Sequence, residues 1–329
     1  MRDDAPHLPE AIASIEAQTL DDYEVVAVDD GSTDETPEIL AGWAARDRRV
    51  RVVTQPASGI VAALERGRAE ARAPYLARMD ADDVSEPTRL RAQLALMEGD
   101  PTLAACGTGV VYFPDEEVRD GARRYQEWLN AAITPDQIAR EIFVECPLAH
   151  PTFFLRAAVV EEVGGYRDAG WPEDYDLLLR LWAAGGRLAK APEPLLRWRE
   201  RPDRLSRTHA RYTPEAFLAC KVHHLQRTLL RGRDGVVVWG AGPVGKTAAR
   251  ALVATATPLL GFVDVDPRKI GQEVYGAPVL DPEEALQAGR WSGRVLHLAA
   301  VGQPGARERI RTTLEEGGLR ELEDFVAIA

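Results

Sequence analysis

The sequence predicts an α/β protein with two domains, and three observations lead to this prediction. From residue 20 to about residue 100, short apolar runs alternate with amphipathic stretches, as in βα units with a mostly parallel sheet. The same alternation restarts at residue 235 and continues to residue 329. The chain has 329 residues, of which 45% are hydrophobic and 28% charged, so it can bury two cores.

The individual elements follow from local patterns. Strands are predicted at 24–28, 50–53, 75–79, 103–113, 236–239, 259–263 and 295–299. Helices are predicted at 8–18, 133–144, 214–231 and from residue 172 onwards. Ser32 and Glu35 have the spacing of a capping box just before Pro37, and Gly185 stops the helix that Pro172 opens. The arginine-rich stretch 197–211 is expected to be a loop or an exposed arm.

Composition and charge exclude several classes of protein. The 40 basic and 52 acidic side chains give a net charge of -12, which argues against a nucleic-acid partner or an anionic membrane surface. The three cysteines form no CxxC pair, so neither a disulfide framework nor a zinc knuckle is expected. No apolar run approaches the ~20 residues of a membrane-spanning helix. We expect a cytoplasmic protein whose membrane contact, if any, is peripheral.

Acidic residues follow two of the predicted strands. Asp29 and Asp30 end one strand, and Asp80, Asp82 and Asp83 end another. In open α/β sheets, ligands bind outside the carboxyl ends of the strands. Carboxylates also suit Mg²⁺ or Mn²⁺, which often bridge to substrate phosphates. Taken alone, these residues could equally be turn formers or a solvated acidic loop.

The order of motifs over the first 205 residues resembles the family 2 glycosyltransferases of the GT-A fold. The motifs are VVAVDDGSTDET at 25–36, YLARMDADD at 75–83, HPTFF at 150–154, GGY at 164–166, PEDYDLLLRL at 172–181 and RWRERPDRLS at 197–206. The resemblance implies a Rossmann-like mixed sheet flanked by helices. It further implies an inverting transferase that moves a sugar from a nucleoside diphosphate donor, first of all a UDP-sugar, to a hydroxyl of a glycan or lipid-linked acceptor.

The resemblance also assigns roles to residues of this chain. The implied donor nucleotide-binding residues are Asp29, Asp30, Asp80 and Arg199. The implied Mg²⁺ or Mn²⁺ ligands are Asp80, Asp82 and His150, although His150 could equally line the donor phosphates or pack as a polar core residue. Asp174, next to Glu173, is the implied general base, because an acceptor hydroxyl must lose its proton as it attacks. Plain helix-dipole stabilisation is the alternative for this acidic pair.

Two features depart from the family pattern. The chain goes directly into the predicted helix at 8–18, so the family's first strand is missing, which would expose its neighbours and open part of the base pocket. In the closing segment, Arg201 stands where the family usually has a histidine. This second departure bears on the local phosphate contacts rather than on the fold.

The second domain carries a glycine motif. Gly240, Gly242 and Gly245 follow a predicted strand, and Asp264 ends the next one, as in a dinucleotide-binding βαβ unit. A triphosphate-binding loop is disfavoured because Pro243 has no N–H to offer. The motif is therefore expected either to bind NAD(P) or another nucleotide, or to serve only close packing.

The expected organisation is a GT-A glycosyltransferase domain at 1–205, a helical linker at 206–233 and a smaller Rossmann-like domain at 234–329. Three other functions compete with the transferase. One is a nucleotide- or NAD-binding regulatory protein with a degenerate transferase domain. The others are an oxidoreductase centred on the glycine motif and a glycoside hydrolase with two carboxylates, which leaves the acidic cluster after the third strand unexplained.

Overall fold

A computed structural model describes residues 1–287, 289–291 and 293–329. The chain forms two compact units, which we call unit 1 and unit 2. Unit 1 consists of residues 1–138 and 147–209, and unit 2 consists of residues 139–146 and 210–329. The stretch 206–233, expected to be a linker, contains a helix at Pro214–Arg227 that lies in unit 2.

Unit 1 contains two sheets. Its strands are β1 Val25–Asp29, β2 Val50–Thr54, β3 Tyr75–Ala77, β4 Val84–Ser85, β5 Leu103–Phe113, β6 Phe154–Arg156 and β7 Arg187–Arg199. Strands β1 and β2 form a parallel pair, and the other five form a sheet in the order β3-β6-β5-β7-β4. The helices that flank them are α1 Leu8–Glu16, α2 Thr36–Arg46, α3 Ile60–Glu70, α4 Arg89–Gly99, α5 Asp120–Ala131, α7 Ala157–Glu162, α8 Glu173–Ala183 and α9 Leu205–Thr208. Helix α6, Pro135–Glu141, spans the boundary between the units.

The expectation of a mostly parallel sheet was wrong for the larger sheet. Only β5 and β7 pair in parallel, whereas β6 runs antiparallel to both β3 and β5, and β4 runs antiparallel to β7. The sheet is therefore mixed, as the family resemblance implied. The antiparallel strands β4 and β6 have only two and three residues, too few for a pattern in the sequence to reveal them.

Two local predictions were also wrong. The capping box does not form, because Ser32 Oγ accepts a hydrogen bond from Asp3 N and the N-cap residue Glu35 makes no side-chain cap. Residues 197–199 are not part of a loop, since they continue β7. Trp198 stacks on Tyr112 of β5 with ring centroids 5.0 Å apart, which holds this end of β7 in the sheet.

The described chain has no strand before β1, and Met1 makes the contacts of a neighbouring parallel strand at a single position. The Met1 amino group donates to Val28 O at 2.9 Å, and Asp30 N donates to Met1 O at 2.9 Å. This is the pattern by which one residue of a parallel strand bonds to two residues of its neighbour. Residue 1 therefore binds β1 next to its acidic carboxyl end.

Unit 2 is built on a single six-stranded sheet. Its strands are β8 Gly235–Trp239, β9 Leu259–Val263, β10 Glu273–Val274, β11 Ala277–Leu280, β12 Val295–Ala299 and β13 Phe325–Ala327, and its helices are α10 Pro214–Arg227, α11 Pro243–Val253, α12 Pro282–Leu286 and α13 Ala306–Glu316. The sheet order is β10-β11-β9-β8-β12-β13, and every pairing is parallel except β10 with β11. The chain thus winds outward in both directions from β8, whose carboxyl end carries the glycine motif.

Close packing accounts for two of the three glycines in this motif. A Cβ on Gly245 would lie 1.8 Å from the Gly240 carbonyl oxygen, and a Cβ on Gly240 would lie 2.5 Å from the Val301 side chain. Gly240 also has a φ of +113°, which other residues rarely adopt. A Cβ on Gly242 would meet no atom within 4 Å. The motif therefore lets α11 approach β8 through Gly240 and Gly245.

No helix among the described residues has the length and apolar character that crossing a membrane requires. The three cysteines are buried, and none of them forms a disulfide bond. Cysteine therefore contributes no cross-link to either core.

Gly245→Ala is expected to destabilise unit 2 by about 3 kcal/mol or more, because the new methyl group would overlap a backbone oxygen that cannot rotate away. Gly242→Ala is the matched control, since its methyl group enters open space, and we expect a loss below about 1 kcal/mol. Urea unfolding of both variants and the parent measures the difference. Equal stability of the two variants would show that α11 does not approach β8 as closely as described.

Candidate active site

The segment after β3 gathers three carboxylates. One oxygen from each of Asp80, Asp82 and Asp83 lies within 4.8 Å of the other two. Asp83 is 1% exposed, and its Oδ1 accepts a hydrogen bond from Arg199 N at 2.8 Å. Its Oδ2 is buried and makes no hydrogen bond to any described residue. An unsatisfied buried oxygen within a group of carboxylates fits Mg²⁺ or Mn²⁺, because such cations take oxygen ligands.

Burial and like charge both act against ionisation of this cluster. Burial raises the pKa of Asp83 well above its ordinary value, and the charges of Asp80 and Asp82 raise it further. Burial and the charge of Asp80 also raise the pKa of Asp82, while Arg201 opposes the shift. A bound cation would offset both causes, because it supplies positive charge where the carboxylates are desolvated.

Arg78, two residues before the cluster, is one of the charges that compensate it. Its side chain is 12% exposed and pairs through Nη1 with Asp80 Oδ2. Arg89, buried behind it, donates to the Arg78 carbonyl at 3.1 Å and to the Pro151 carbonyl at 2.6 Å. Arg89 thereby joins the segment that carries Arg78 to the turn at residues 150–152.

Arg199, at the end of β7, is held by several groups of the protein. Its backbone N–H binds Asp83, its Nε donates to the Asp82 carbonyl at 2.6 Å, and its Nη2 pairs with Glu10. Its guanidinium also lies 4.3 Å from the centroid of the Phe113 ring. The sequence assigned Arg199 to the donor diphosphate, and in the structure it braces the acidic segment.

The two aspartates that end β1 are also committed to internal hydrogen bonds. Asp29 is 2% exposed, and its Oδ1 accepts from Ser32 N at 3.0 Å. Asp30 accepts from Gln55 Nε2, Ser58 N and Gly59 N at 2.7–2.8 Å. Burial acts to raise the pKa of Asp30, but these three hydrogen bonds outweigh it, and the pKa lies below its ordinary value.

The turn after β1 and the start of α2 hold the amino-terminal residues 3–5 by hydrogen bonds. Ser32 Oγ, Thr36 Oγ1 and Asp34 Oδ2 accept hydrogen bonds from the backbone N–H groups of residues 3, 4 and 5 at 2.9–3.0 Å. The Asp4 side chain reaches the acidic cluster, where its Oδ1 lies 3.7 Å from Arg201 Nη1. Burial and the charge of Asp82 raise the pKa of Asp4 to about 6, although Arg201 opposes the shift.

The group of possible metal ligands after β3 does not include a ring nitrogen of His150 among the described residues. Its ring is 8% exposed, its Nε2 lies 3.1 Å from the Tyr166 hydroxyl, and its Nδ1 lies 3.8 Å from Glu173 Oε1. Burial lowers the pKa of His150 well below its ordinary value, and the charge of Arg78 lowers it further, so the ring is neutral. The structure thus joins His150 to the first turn of α8.

Glu173 and Asp174 differ in exposure, although both begin α8. Glu173 is 1% exposed and lies beside His150, whereas Asp174 is partly exposed and accepts a hydrogen bond from Tyr175 N at 2.7 Å. Burial raises the pKa of the Tyr166 hydroxyl; Arg78 acts to lower this pKa, and Asp174 and Glu173 act to raise it. Tyr166 therefore lies within electrostatic reach of both the arginine that binds Asp80 and the start of α8.

In unit 2, the glycine motif and Asp264 do come together. Ala241 N donates to Asp264 Oδ2 at 2.9 Å, and Lys269 Nζ pairs with the same oxygen at 2.8 Å. Burial acts to raise the pKa of Asp264, but the Lys269 hydrogen bond and two backbone N–H groups lower it overall. A ribose hydroxyl would have to compete with Lys269 for this carboxylate, and nothing in this geometry supports NAD(P).

Sequence reasoning missed three residues of the site, namely Asp4, Arg78 and Arg89. Arg78 had a signal, because it precedes the acidic cluster by two residues in a motif already singled out. Asp4 and Arg89 had none, since only the folding of residues 1–7 and of α4 brings them to the segment after β3.

The chain is similar in sequence to proteins that are named as glycosyltransferases. The sequence profile of Glycosyl transferase family 2 matches residues 2–164. EpsE of Bacillus subtilis (strain 168), which carries the name of a glycosyltransferase, is 33% identical over 223 residues, or 65% of this chain and 77% of that protein. The amylovoran biosynthesis glycosyltransferase AmsE of Erwinia amylovora is 28% identical over 202 residues, or 61% of this chain and 73% of that protein.

Two solved structures share the fold. The mannosyltransferase PcManGT of Pyrobaculum calidifontis, in complex with GDP-Man and Mn²⁺, is 20% identical with a TM-score of 0.51, covering 78% of this chain and 73% of its own. TarS 1-349 of S. aureus, in complex with UDP-GlcNAc, is 13% identical with a TM-score of 0.54, covering 78% of this chain and 69% of its own. At these identities the likeness concerns the fold alone.

Asp83→Asn is expected to stabilise the metal-free protein at pH 7 while it weakens Mn²⁺ binding about tenfold or more. The pKa of Asp83 is higher in the folded than in the unfolded chain, so the native state binds more protons. The contribution of Asp83 to stability is therefore greatest below about pH 4 and is lost as the pH rises. The substitution removes this pH-dependent loss of stability, because asparagine does not ionise. Its amide oxygen can still accept the hydrogen bond from Arg199 N.

Urea unfolding in EDTA at pH 5 and pH 7, together with Mn²⁺ calorimetry, measures both effects. Asp115→Asn is the control, because that side chain is 86% exposed and should change neither quantity. A metal-free Asp83→Asn protein that is less stable than the parent at pH 7 would contradict the electrostatic account.

Proposed function

The chain belongs to glycosyl transferase family 2, and from this premise we propose that it transfers a sugar, with inversion, from a nucleoside diphosphate donor to a hydroxyl group. We propose UDP-sugars as the donor class and a glycan or lipid-linked sugar as the acceptor. The observation that carries the proposal is the group of three carboxylates after β3, which includes one buried oxygen without a hydrogen bond. AmsE, a relative named for amylovoran biosynthesis, supports a role in polysaccharide assembly.

Asp80 and Asp82 would hold a divalent cation, and Asp83 would contribute its unsatisfied oxygen. When bound, the cation would neutralise the charge that develops on the departing diphosphate. Arg199 keeps these carboxylates in place through its bonds to Asp82 and Asp83. Its proposed role is thus to hold the metal-binding carboxylates in place rather than to contact the donor.

Asp29 and Asp30 would shape the pocket for the donor base. Asp30 draws the backbone of residues 58 and 59 towards the end of β1, and Asp29 closes the turn at Ser32. Because both carboxylates are nearly buried, their contribution is to fix these loops in one conformation. Preorganised loops reduce the entropy lost when a nucleotide binds.

We assign Asp174 as the general base and Glu173 as a positioning residue. Asp174 is partly exposed, so an acceptor hydroxyl can reach it, whereas Glu173 is buried against His150. The Tyr175 N–H fixes one oxygen of Asp174, which orients the carboxylate that would receive the acceptor proton. The neutral His150 ring links Glu173 to Tyr166, which orders the start of α8.

A panel of nucleotides tests the donor proposal. With Mn²⁺ present, we expect a UDP-sugar near a hundred times its Kd to raise the melting temperature by about 5 °C or more. Asp82→Ala should abolish this shift, and the exposed Asp22→Ala variant should preserve it. A shift with NAD⁺ and none with UDP- or GDP-sugars would instead favour a nucleotide-binding regulatory protein.

Asp174→Asn tests the base assignment. The asparagine can still accept from Tyr175 N but cannot take a proton, so kcat should fall about 10²- to 10⁴-fold while donor binding is unchanged. Release of the nucleoside diphosphate measures turnover, and calorimetry measures donor binding. Glu162→Gln, at the exposed end of α7, is the control. Full turnover by Asp174→Asn would show that another group removes the proton.

A further inference from the structure

Arg201 is the arginine of the site that is held least firmly. Its Nη2 lies 3.4 Å from Asp82 Oδ2, its Nη1 3.7 Å from Asp4 Oδ1, and its Nε 3.5 Å from Asp203 Oδ1. All three separations exceed the 2.7–2.9 Å typical of charge-assisted hydrogen bonds. The Nε atom is buried and makes no hydrogen bond within the part of the chain described. The guanidinium is thus attracted to three carboxylates without a close bond to any of them.

The other arginines nearby are anchored. Arg199 makes two hydrogen bonds of 2.6–2.8 Å to the acidic segment and contacts a phenyl ring. Arg78 pairs closely with Asp80. Arg204 lies over the Trp198 ring at 4.4 Å and pairs with Glu200 at 3.3 Å. Moving any of these three would break contacts that Arg201 lacks.

The position of Arg201 places it in competition with a cation. Asp82 is one of the proposed metal ligands, and the positive charge of a guanidinium beside its carboxylate would repel a cation bound there. Arginine stays protonated and has no lone pair, so unlike a histidine at this position it cannot become a ligand itself. It can, however, bind phosphate oxygens through its two Nη groups.

On the basis of the proposed function, we propose that Arg201 is an exchangeable counter-ion. In the free protein it neutralises Asp82 and Asp4, and in the loaded protein it leaves Asp82 and pairs with the donor diphosphate. Its side chain is 26% exposed, which gives it room to turn away from Asp82. Arg201 thereby couples metal binding to nucleotide binding, because the group displaced by the first ligand is used by the second.

This role predicts that one substitution of Arg201 strengthens Mn²⁺ binding and weakens nucleotide binding. Arg201→Gln should bind Mn²⁺ alone about threefold more tightly, because a competing charge is gone. With Mn²⁺ saturating, the same variant should bind UDP or GDP about tenfold more weakly, because a charge-assisted phosphate contact is lost. Arg201→Lys, which keeps the charge, should lie between the parent and Arg201→Gln in both measurements.

Calorimetry with Mn²⁺ alone and with UDP or GDP in excess Mn²⁺ supplies both affinities. Arg197→Gln is the matched control, because this arginine of β7 lies four residues before Arg201, its side chain is 45% exposed, and its Nη1 lies 3.9 Å from Glu10 Oε1. It should change neither affinity. A melting curve of each ligand-free variant confirms that it is folded.

The outcomes distinguish a failure of the Arg201 exchange from a failure of the proposed transferase function. Opposite changes in the two affinities support the exchange. If the parent binds both ligands and Arg201→Gln weakens both, or changes neither, the exchange is overturned and the transferase proposal stands. If the parent binds neither Mn²⁺ nor a nucleoside diphosphate, the proposed function fails and the role of Arg201 fails with it.

Discussion

Mutual repulsion among Asp80, Asp82 and Asp83 is the constraint on which the rest of unit 1 depends. Three carboxylates share a volume in which their oxygens lie within 4.8 Å of each other, and burial removes much of the water that would screen them. Positive charge must therefore be brought in from elsewhere in the chain. Arg78 directly follows β3, Arg199 is the last residue of β7, and Arg201 lies two residues further along the chain.

The amino-terminal segment and the turn after β1 fix each other. Side-chain oxygens of the turn hold three consecutive N–H groups of residues 3–5, so the chain is led past the carboxyl end of β1 and places Asp4 near Asp82. The motif therefore orders the loop that borders the acidic cluster, whatever ligand it binds. Substitutions in it would disturb that loop together with the proposed nucleotide contacts.

Unit 2 shows how a sequence motif can be satisfied by packing. Gly240 and Gly245 permit the contact of α11 with β8, and Asp264 joins the motif to Lys269. Of the three glycines of the motif, Gly242 is the one at which an added Cβ would contact no atom within 4 Å, so packing does not require a glycine there. The carboxylate that a dinucleotide would need is already neutralised within the unit, so the motif explains the local fold without requiring a ligand.

The sequence by itself determined the α/β class, seven of the thirteen strands of the described residues, the helices α1, α6, α8 and α10, and the residue types of the site, because these follow from local periodicity and from motifs of adjacent residues. It did not predict β4 and β6, because strands of two and three residues are too short for a period-2 pattern, so the structure alone showed that they run antiparallel to β7 and β5. Nor could it show that Arg199 is anchored while Arg201 is loosely held, since both lie in one arginine-rich stretch. Tertiary structure alone settled these points, because the free energy of a charged side chain depends on the carboxylates that distant segments bring within a few ångströms.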